Sequence, residues 1–486
     1  MSSHDNQVVV IGAGVAGLAA AAWLSRQGIG VQVLEAASKI GGCCGTTDLG
    51  GYHFNDGAQY IMLPQLVRLI LDHLGIDSAR LPLRRAHTPL QTELDDGTRV
   101  RLHADLHIER LQGGFDPSRA RADLDRMLAR WQPLLDALTG DDWLLRPIRP
   151  FDAARRLGRH LPLFSRSLQA ELNALFPDPS FRAVMAGHML FAGAPANRFP
   201  APSILALVSV IVDGLHIPER GMSQLPEVLA EAALAHGASI AMNAPVRRIL
   251  RTPRGGFSVT TGDGNRIAAR HVISTASPYA TLGRLMEGES LPSAWRRRVA
   301  RPRLSMKVLS VQLGLRAEPV TLSHLNHSLP PACGLAGYFA PAPDSVQWVY
   351  VSVPSLVVPS LAPPGCAVVE VYPAIPQGEA AATWDATRRE RLAEAAVDWL
   401  RAREPIDVTV RRVRSPKDFE DQLGLLDGGI YGVDPAAGFG ALFPQRTPVP
   451  GVYLAGQSCF PGFGVPMAAI SGVRAAQMVS EEAARA

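Results

Sequence analysis

The chain has 486 residues, 47% of them hydrophobic and 19% charged, and its 48 basic and 44 acidic residues give a formal net charge of +4. These proportions exclude a largely disordered chain, and so small a positive excess over this length gives no sign of a nucleic-acid binder. A chain of this length predicts two or three domains, with enough buried surface to need no staples.

Five cysteines (Cys43, Cys44, Cys333, Cys366, Cys459) are too few and too scattered for a disulfide framework, and they lack zinc-site spacing. No metal site is expected. Only Lys39, Lys307 and Lys417 are lysines, the other basic residues being arginine; we read this as codon bias. No targeting segment is evident at the start. The longest apolar stretch, residues 204–212, is about half of the roughly 20 residues that a spanning helix needs. The expectation is a cytoplasmic protein whose only membrane contact would be peripheral.

Along the chain, residues 8–11 form a β-branched run suited to a buried parallel strand, followed by Gly12-Ala13-Gly14 and an alanine-rich helix to Arg26. Gly28 is placed to end that helix, and residues 31–34 read as a second strand, completing a βαβ unit. From Leu83 the pattern changes: Asp95-Asp96-Gly97 turns between two short strands, and Arg- and Leu-rich helices follow, interrupted at Pro177 and Pro179. After Gly221 comes a helix closed by Gly237, then strands at 238–242, 246–250, 257–261 and 272–275. Residues 304–372 are strand-rich and 384–403 helical. The chain ends on a strand, a glycine-rich loop and a helix. The alternation predicts a discontinuous nucleotide-binding domain (1–82, 201–302 and 417–486) and a substrate domain inserted in two pieces (83–200 and 303–416).

Gly12-x-Gly14-x-x-Gly17 lies between a strand and a helix, where a dinucleotide fingerprint belongs. The first glycine permits the turn, the second lets backbone approach a pyrophosphate, and the third lets helix meet strand. Glu35, ending the second strand, is placed to accept hydrogen bonds from a ribose. Gly41-Gly42 and Asp56-Gly57 supply further glycine turns.

With these turns the chain resembles the glutathione-reductase-like FAD enzymes. The segments IPERGMSQLPEVLAEAALAHGASIAMNAPVRRI and HVISTASP resemble the carotenoid desaturase and flavin amine oxidase superfamily. GGIYGVDP and GVYLAGQSCFPGFGVPMAAISGVRAAQM look most like phytoene desaturases and retinol saturases. The implied fold class is α/β: a glutathione-reductase-like Rossmann FAD-binding domain with an inserted α+β substrate domain. The resemblance implies FAD contacts at Gly12, Gly14, Ala16, Gly17, Glu35, Ala36, Gly41, Gly42, Gly57, Ala58, Gln59, Val246, Gly456, Gln457, Gly464, Val465 and Pro466. Free amides at the start of the last helix would stabilise charge on the flavin's pyrimidine edge.

Two positions of the family pattern are altered. Cys43-Cys44 stands where an arginine often follows the second glycine pair, and Gln457 replaces an acidic residue beside the C-terminal glycine. Cys459 is read as a small buried apolar residue rather than a flavin attachment point, and His53 as a capping or surface residue rather than a proton-transfer group. No catalytic base is identifiable.

A second fingerprint for a nicotinamide cofactor is not evident. The implied activity is hydride transfer between flavin and a hydrophobic polyunsaturated small molecule, by desaturation, saturation or isomerisation. A redox cyclase of polyene tetramate macrolactams, a flavin amine oxidase with Tyr431 near the aromatic-cage position, and a non-catalytic flavin-bound scaffold remain as alternatives. Residues 199–218 read as a core helix in preference to a membrane or substrate dock. Arg296-Arg297-Arg298 reads as a solvated face in preference to a membrane-binding run.

Overall fold

The computed structural model describes residues 8–88, 90–189, 193–329, 346 and 348–484. Strand β1 (Val8–Ile11) is buried at all four positions because it lies between two parallel neighbours, β2 (Val31–Leu34) and His271–Ser274. A strand covered on both faces needs an unbroken apolar run, which Val-Val-Val-Ile supplies. The sheet runs Ser239–Ala241, β2, β1, His271–Ser274, Val452–Leu454, with every pair parallel.

Helix α1 (Val15–Arg26) packs between the helices Gln224–Ala235 and Val465–Ala483. Its small residues permit unusually close approach. A Cβ at Gly17 would stand 2.0 Å from the Gly12 carbonyl oxygen, and one at Gly472, in the last helix, 2.0 Å from that of Ala16.

An eight-stranded sheet forms the other half, in the order Val408–Arg414, Ser310–Leu315, Ala367–Pro373, Val349–Ser352, Leu325–Leu329, Leu90–Leu94, Arg99–Leu102, Ile108–Gln112. Its neighbours are antiparallel except where Leu325–Leu329 meets Leu90–Leu94, the seam joining the two sequence segments that build it. The turn at Asp95-Asp96-Gly97 falls where the sequence places it, with Gly97 at φ +84°. The helix expected over 384–403 runs Ala386–Arg401, started by the Asp385 carboxylate, which accepts the Arg388 amide at 2.8 Å.

The segment 201–215, expected with the nucleotide-binding portion, packs instead with the helices that precede it. Ile204, Leu207, Val208, Ile211 and Leu215 share a core with Trp131, Phe176 and Phe181. Helix Leu205–Val212 is thereby covered, as the core reading of this stretch requires. No helix among the described residues is long and apolar enough to cross a membrane.

Candidate functional site

The C-terminal ends of β1 and β2 converge on the first glycine turn. Gly12 adopts φ +98°, and a Cβ there would come 2.3 Å from Thr275 Oγ1, whose hydroxyl donates to the Ile11 carbonyl at 2.8 Å. Gly14, by contrast, has only the Gly41 carbonyl near its Cβ position, at 3.9 Å, so the turn is open on that side. Gly14 starts α1 with no side-chain cap and no acidic residue in the first turn, which leaves the helix amides for a ligand.

Gly41 lies beside the same turn. Its amide donates to the Ala13 carbonyl at 2.9 Å, and a Cβ on Gly42 would stand 3.4 Å from the Gly14 Cα. Glu35 accepts the amides of Ala13 at 2.6 Å and Ala37 at 2.8 Å, fixing its carboxylate at the end of β2 next to exposed Ala36. The Ala244 amide donates to the Glu35 carbonyl at 2.7 Å, which brings the strand beginning at Val246 to the same edge. Ala16 lies at the back of α1, against Gly472, where it serves helix packing.

The third turn is packed on Cys43. A Cβ at Gly57 would meet the Cys43 carbonyl at 2.9 Å, and the Ala58 amide donates to that carbonyl at 2.7 Å. The Cys43 and Cys44 thiols are free and unlinked. Burial pushes Cys43 up to about 11 and raises Cys44 too, so both stay protonated. Gln59 donates to the Gly57 carbonyl at 3.3 Å, while its own Oε1 is buried with no partner.

At the far end of the chain, the Gly456 amide donates to Ser471 Oγ at 2.7 Å, and Gln457 is half-buried next to Gly432. Gly464 starts the last helix with no side-chain cap and no acidic first turn, and Val465 and Pro466 follow it into the core. Cys459 is fully buried, in keeping with its reading as a small apolar residue.

A polar network that sequence reasoning missed joins this cradle to the eight-stranded sheet. Asp56 has its side chain only 3% exposed, yet it takes Lys39 Nζ at 2.6 Å, Arg412 at 2.8 Å and the Thr47 hydroxyl at 2.8 Å. Burial opposes its ionisation, but the Lys39, Arg412 and Thr47 hydrogen bonds outweigh it and hold the carboxyl below its usual range. Arg414, itself buried, donates to the Asp56 carbonyl. Gln312 bridges onward, donating to the Asn55 carbonyl at 2.6 Å and to Glu370 at 3.1 Å.

Register explains the grouping. Gln312 pairs with both Glu370 and Arg412 across adjacent strands, so the three side chains share one face of the sheet. Two residues further along the same strand, Tyr372 donates to Glu370 at 2.5 Å.

Tyr372 leads to a cluster of phenols. Its ring centroid lies 5.4 Å from that of Tyr350, whose hydroxyl shares a hydrogen bond with Tyr60. Tyr431 stands 4.6 Å from Phe463, in the loop between Gly462 and Gly464. Burial raises all four phenols, so they are neutral donors. The core these phenols pack against includes Met306, with Met62, Val308 and Ile430 at its margin, while Tyr372 also hydrogen-bonds Ser310 beside Glu370.

A parallel sheet with one dinucleotide turn, a second glycine pair folded onto it and a bare final helix defines the flavin-dependent oxidoreductase class. Residues 15–480 match the family described as flavin containing amine oxidoreductase, and the chain belongs to that family, a flavoenzyme with FAD as cofactor.

Among curated relatives, the chain is 28% identical over 550 residues to "Pyridine nucleotide-disulfide oxidoreductase domain-containing protein 2" of Rattus norvegicus, covering 98% of this chain and 93% of that one. It is 26% identical to the zeta-carotene-forming phytoene desaturase of Myxococcus xanthus, covering 99% and 94%. Among solved structures, an oxidoreductase from Methanosarcina mazei aligns with TM-score 0.66 at 17% identity over 98% and 99% of the two chains. A putrescine oxidase variant aligns at 0.64 and 20% over 99% of each. At such identities these structures establish the shared fold.

The residues present fit FAD. Two uncapped helix starts, the open side of Gly14 and the orphaned Gln59 Oε1 are the features a bound dinucleotide would satisfy.

Proposed function

We propose that this flavoenzyme transfers a hydride between FAD and a carbon of a hydrophobic, polyunsaturated substrate, by desaturation, saturation or isomerisation. The setting of Phe463 carries the reading: the loop before the last helix puts its ring 4.6 Å from that of Tyr431, a neutral phenol packed against the apolar core. Full-length similarity to enzymes named phytoene desaturase and prolycopene isomerase supports it.

In this reading Gly12, Gly14 and Gly17 bring backbone and the α1 amides to the pyrophosphate, Glu35 holds the ribose, and Ala36 and Val246 border the adenine. Gly41 and Gly42 support the pyrophosphate turn, and Gly57, Ala58 and Gln59 border the ring system. Gly456 and Gln457 approach the ribityl chain, and the amides from Gly464 through Val465 to the turn after Pro466 offset negative charge at the pyrimidine edge. FAD supplies a two-electron acceptor or donor at its ring N5. Tyr431 and Phe463 flank the reacting carbon and exclude water. Tyr372, hydrogen-bonded to Glu370, is a place to hold a proton beside the other phenols.

Anaerobic stopped-flow mixing of the holoenzyme with phytoene, NADPH or benzylamine tests the reading through the visible flavin band. Phytoene is expected to bleach it in one fast phase if the reaction is a dehydrogenation, and NADPH only slowly and without saturation. Rapid, saturable bleaching by NADPH or by the amine would overturn it.

A further inference from the structure

The apolar stretch that the sequence offers for docking is not a docking surface: Leu207, Val208 and Ile211 are buried, and Arg298 is occupied, stacked over Phe443 at 3.8 Å. Apolar exposure is concentrated elsewhere. Phe151 is 78% exposed, Leu161 62% and Phe164 41%. All three come from one short region, the helix Pro150–Leu157 and the turn Gly158–Ser165 that follows it, and the helix buries none of its residues.

Residues 143–166 contain six arginines and, apart from Asp152, no acidic residue. Three of the arginines answer neighbouring carboxylates: Arg146 pairs with Asp142 and Arg156 with Asp141, each at 2.7 Å, and Arg166 stands 3.8 Å from Glu171. Arg149, Arg155 and Arg159 are exposed alongside the apolar tips. Phenyl and leucyl side chains projecting among arginines match a bilayer interface, where rings enter the acyl boundary and guanidinium groups meet phosphates.

We infer that this arginine-flanked apolar patch, Phe151, Leu161 and Phe164 with Arg149, Arg155 and Arg159, docks the protein on an anionic lipid surface. The charge complementarity selects lipid over a second copy of this chain, which would present the same positive patch. Leu157 and Leu163 root the region in the core that also reaches Tyr60 and Tyr431. The surface itself does not depend on the polyene reading.

The test is co-sedimentation of the FAD-loaded full chain with phosphatidylcholine vesicles, with and without phosphatidylglycerol, no polyene being present. Wild type is expected to bind the anionic vesicles and to release in high salt. Arg149→Gln/Arg155→Gln/Arg159→Gln is expected to weaken partitioning about a hundredfold, each arginine near the surface being worth roughly fivefold. Phe151→Ser/Leu161→Ser/Phe164→Ser is expected to lower it at least about tenfold. Both variants should keep full FAD content and an unchanged flavin spectrum. Failure of wild type to bind, or vesicle binding unchanged in both variants, would overturn the inference. So would a wild-type dimer in sedimentation velocity that the serine variant dissociates without any change in vesicle binding. None of these outcomes bears on whether a polyene bleaches the flavin.

Discussion

Helices Val15–Arg26 and Val465–Ala483 begin at glycines with no side-chain cap, whereas those starting at Pro117, Leu168, Pro179, Ala386 and Pro416 are capped by Asp116, Ser167, Asp178, Asp385 and Ser415. A cap is worth about 1 kcal/mol, so a bare end is a stability cost unless something else satisfies its amides. The capped helices each have a first-turn amide satisfied within the chain and are complete in themselves. Helices starting at Pro64, Pro150, Leu205, Gln224 and Ser293 also lack a side-chain cap, but only Val15–Arg26 and Val465–Ala483 begin at a glycine turn; in the proposed reading their donors meet FAD, which would link the stability of that half to cofactor binding.

Removing the close approach behind the first bare helix gives the largest expected effect. Gly17→Ala would force the Gly12 carbonyl away from α1, and we expect a loss of roughly 4 kcal/mol or more, read as failure to retain FAD together with a broad, early melting transition. A cooperative melt close to that of wild type would show that the turn relaxes freely.

Supplying the missing cap sharpens the contrast. Gly14 has extended backbone (φ −76°, ψ 177°) and room for a side chain, so Gly14→Asp should cap α1 in the apoprotein, raising its stability by up to about 1 kcal/mol. The same carboxylate would face the pyrophosphate, and FAD affinity should fall about a hundredfold or more by titration. Retained affinity would remove the phosphate from this turn.

Glu35→Ala leaves the ribose hydroxyls to water and frees the Ala13 amide; a loss of roughly 1–3 kcal/mol in FAD binding is expected, from equilibrium dialysis. Equal dissociation constants would refute the ribose role. The smallest effect belongs to a capped helix: Asp385→Ala should lower global stability by about 1 kcal/mol in urea and leave the FAD dissociation constant unchanged.

The glycine turns and their neighbouring helix starts were legible because their signals are local. Gly12, Gly14, Gly17 and Glu35 act within one βαβ unit, and the final loop keeps its glycines within a few residues of the helix they serve. The Asp56 network was not, since it gathers positions 39, 56, 312, 370, 412 and 414 through cross-strand register, which no window along the chain displays. Its traces were the lone Glu370 in AVVEVYP and Gln312 in SVQLGL, polar residues inside apolar strands that are almost wholly buried. The phenol cluster failed to register for the same reason, Tyr60, Tyr350, Tyr372 and Tyr431 coming from four separate segments. Segment 201–215 was assigned to the wrong neighbours because a helix apolar on every side says that it is buried but not against what.

The strand His271–Ser274 is buried along its length, with β1 on one side and Val452–Leu454 on the other. On the ribosome that second neighbour emerges about 180 residues later, and some 440 residues after β1 itself. At roughly 5–20 residues per second, the growing chain carries this sheet edge, buried in the finished fold, unpaired for about 10–40 s, and α1 waits longer still for the helix that meets Ala16. The sheet around β1 is thus finished only after residue 452, so slower synthesis lengthens the exposure of that edge, and a chain cut before that residue would present it permanently.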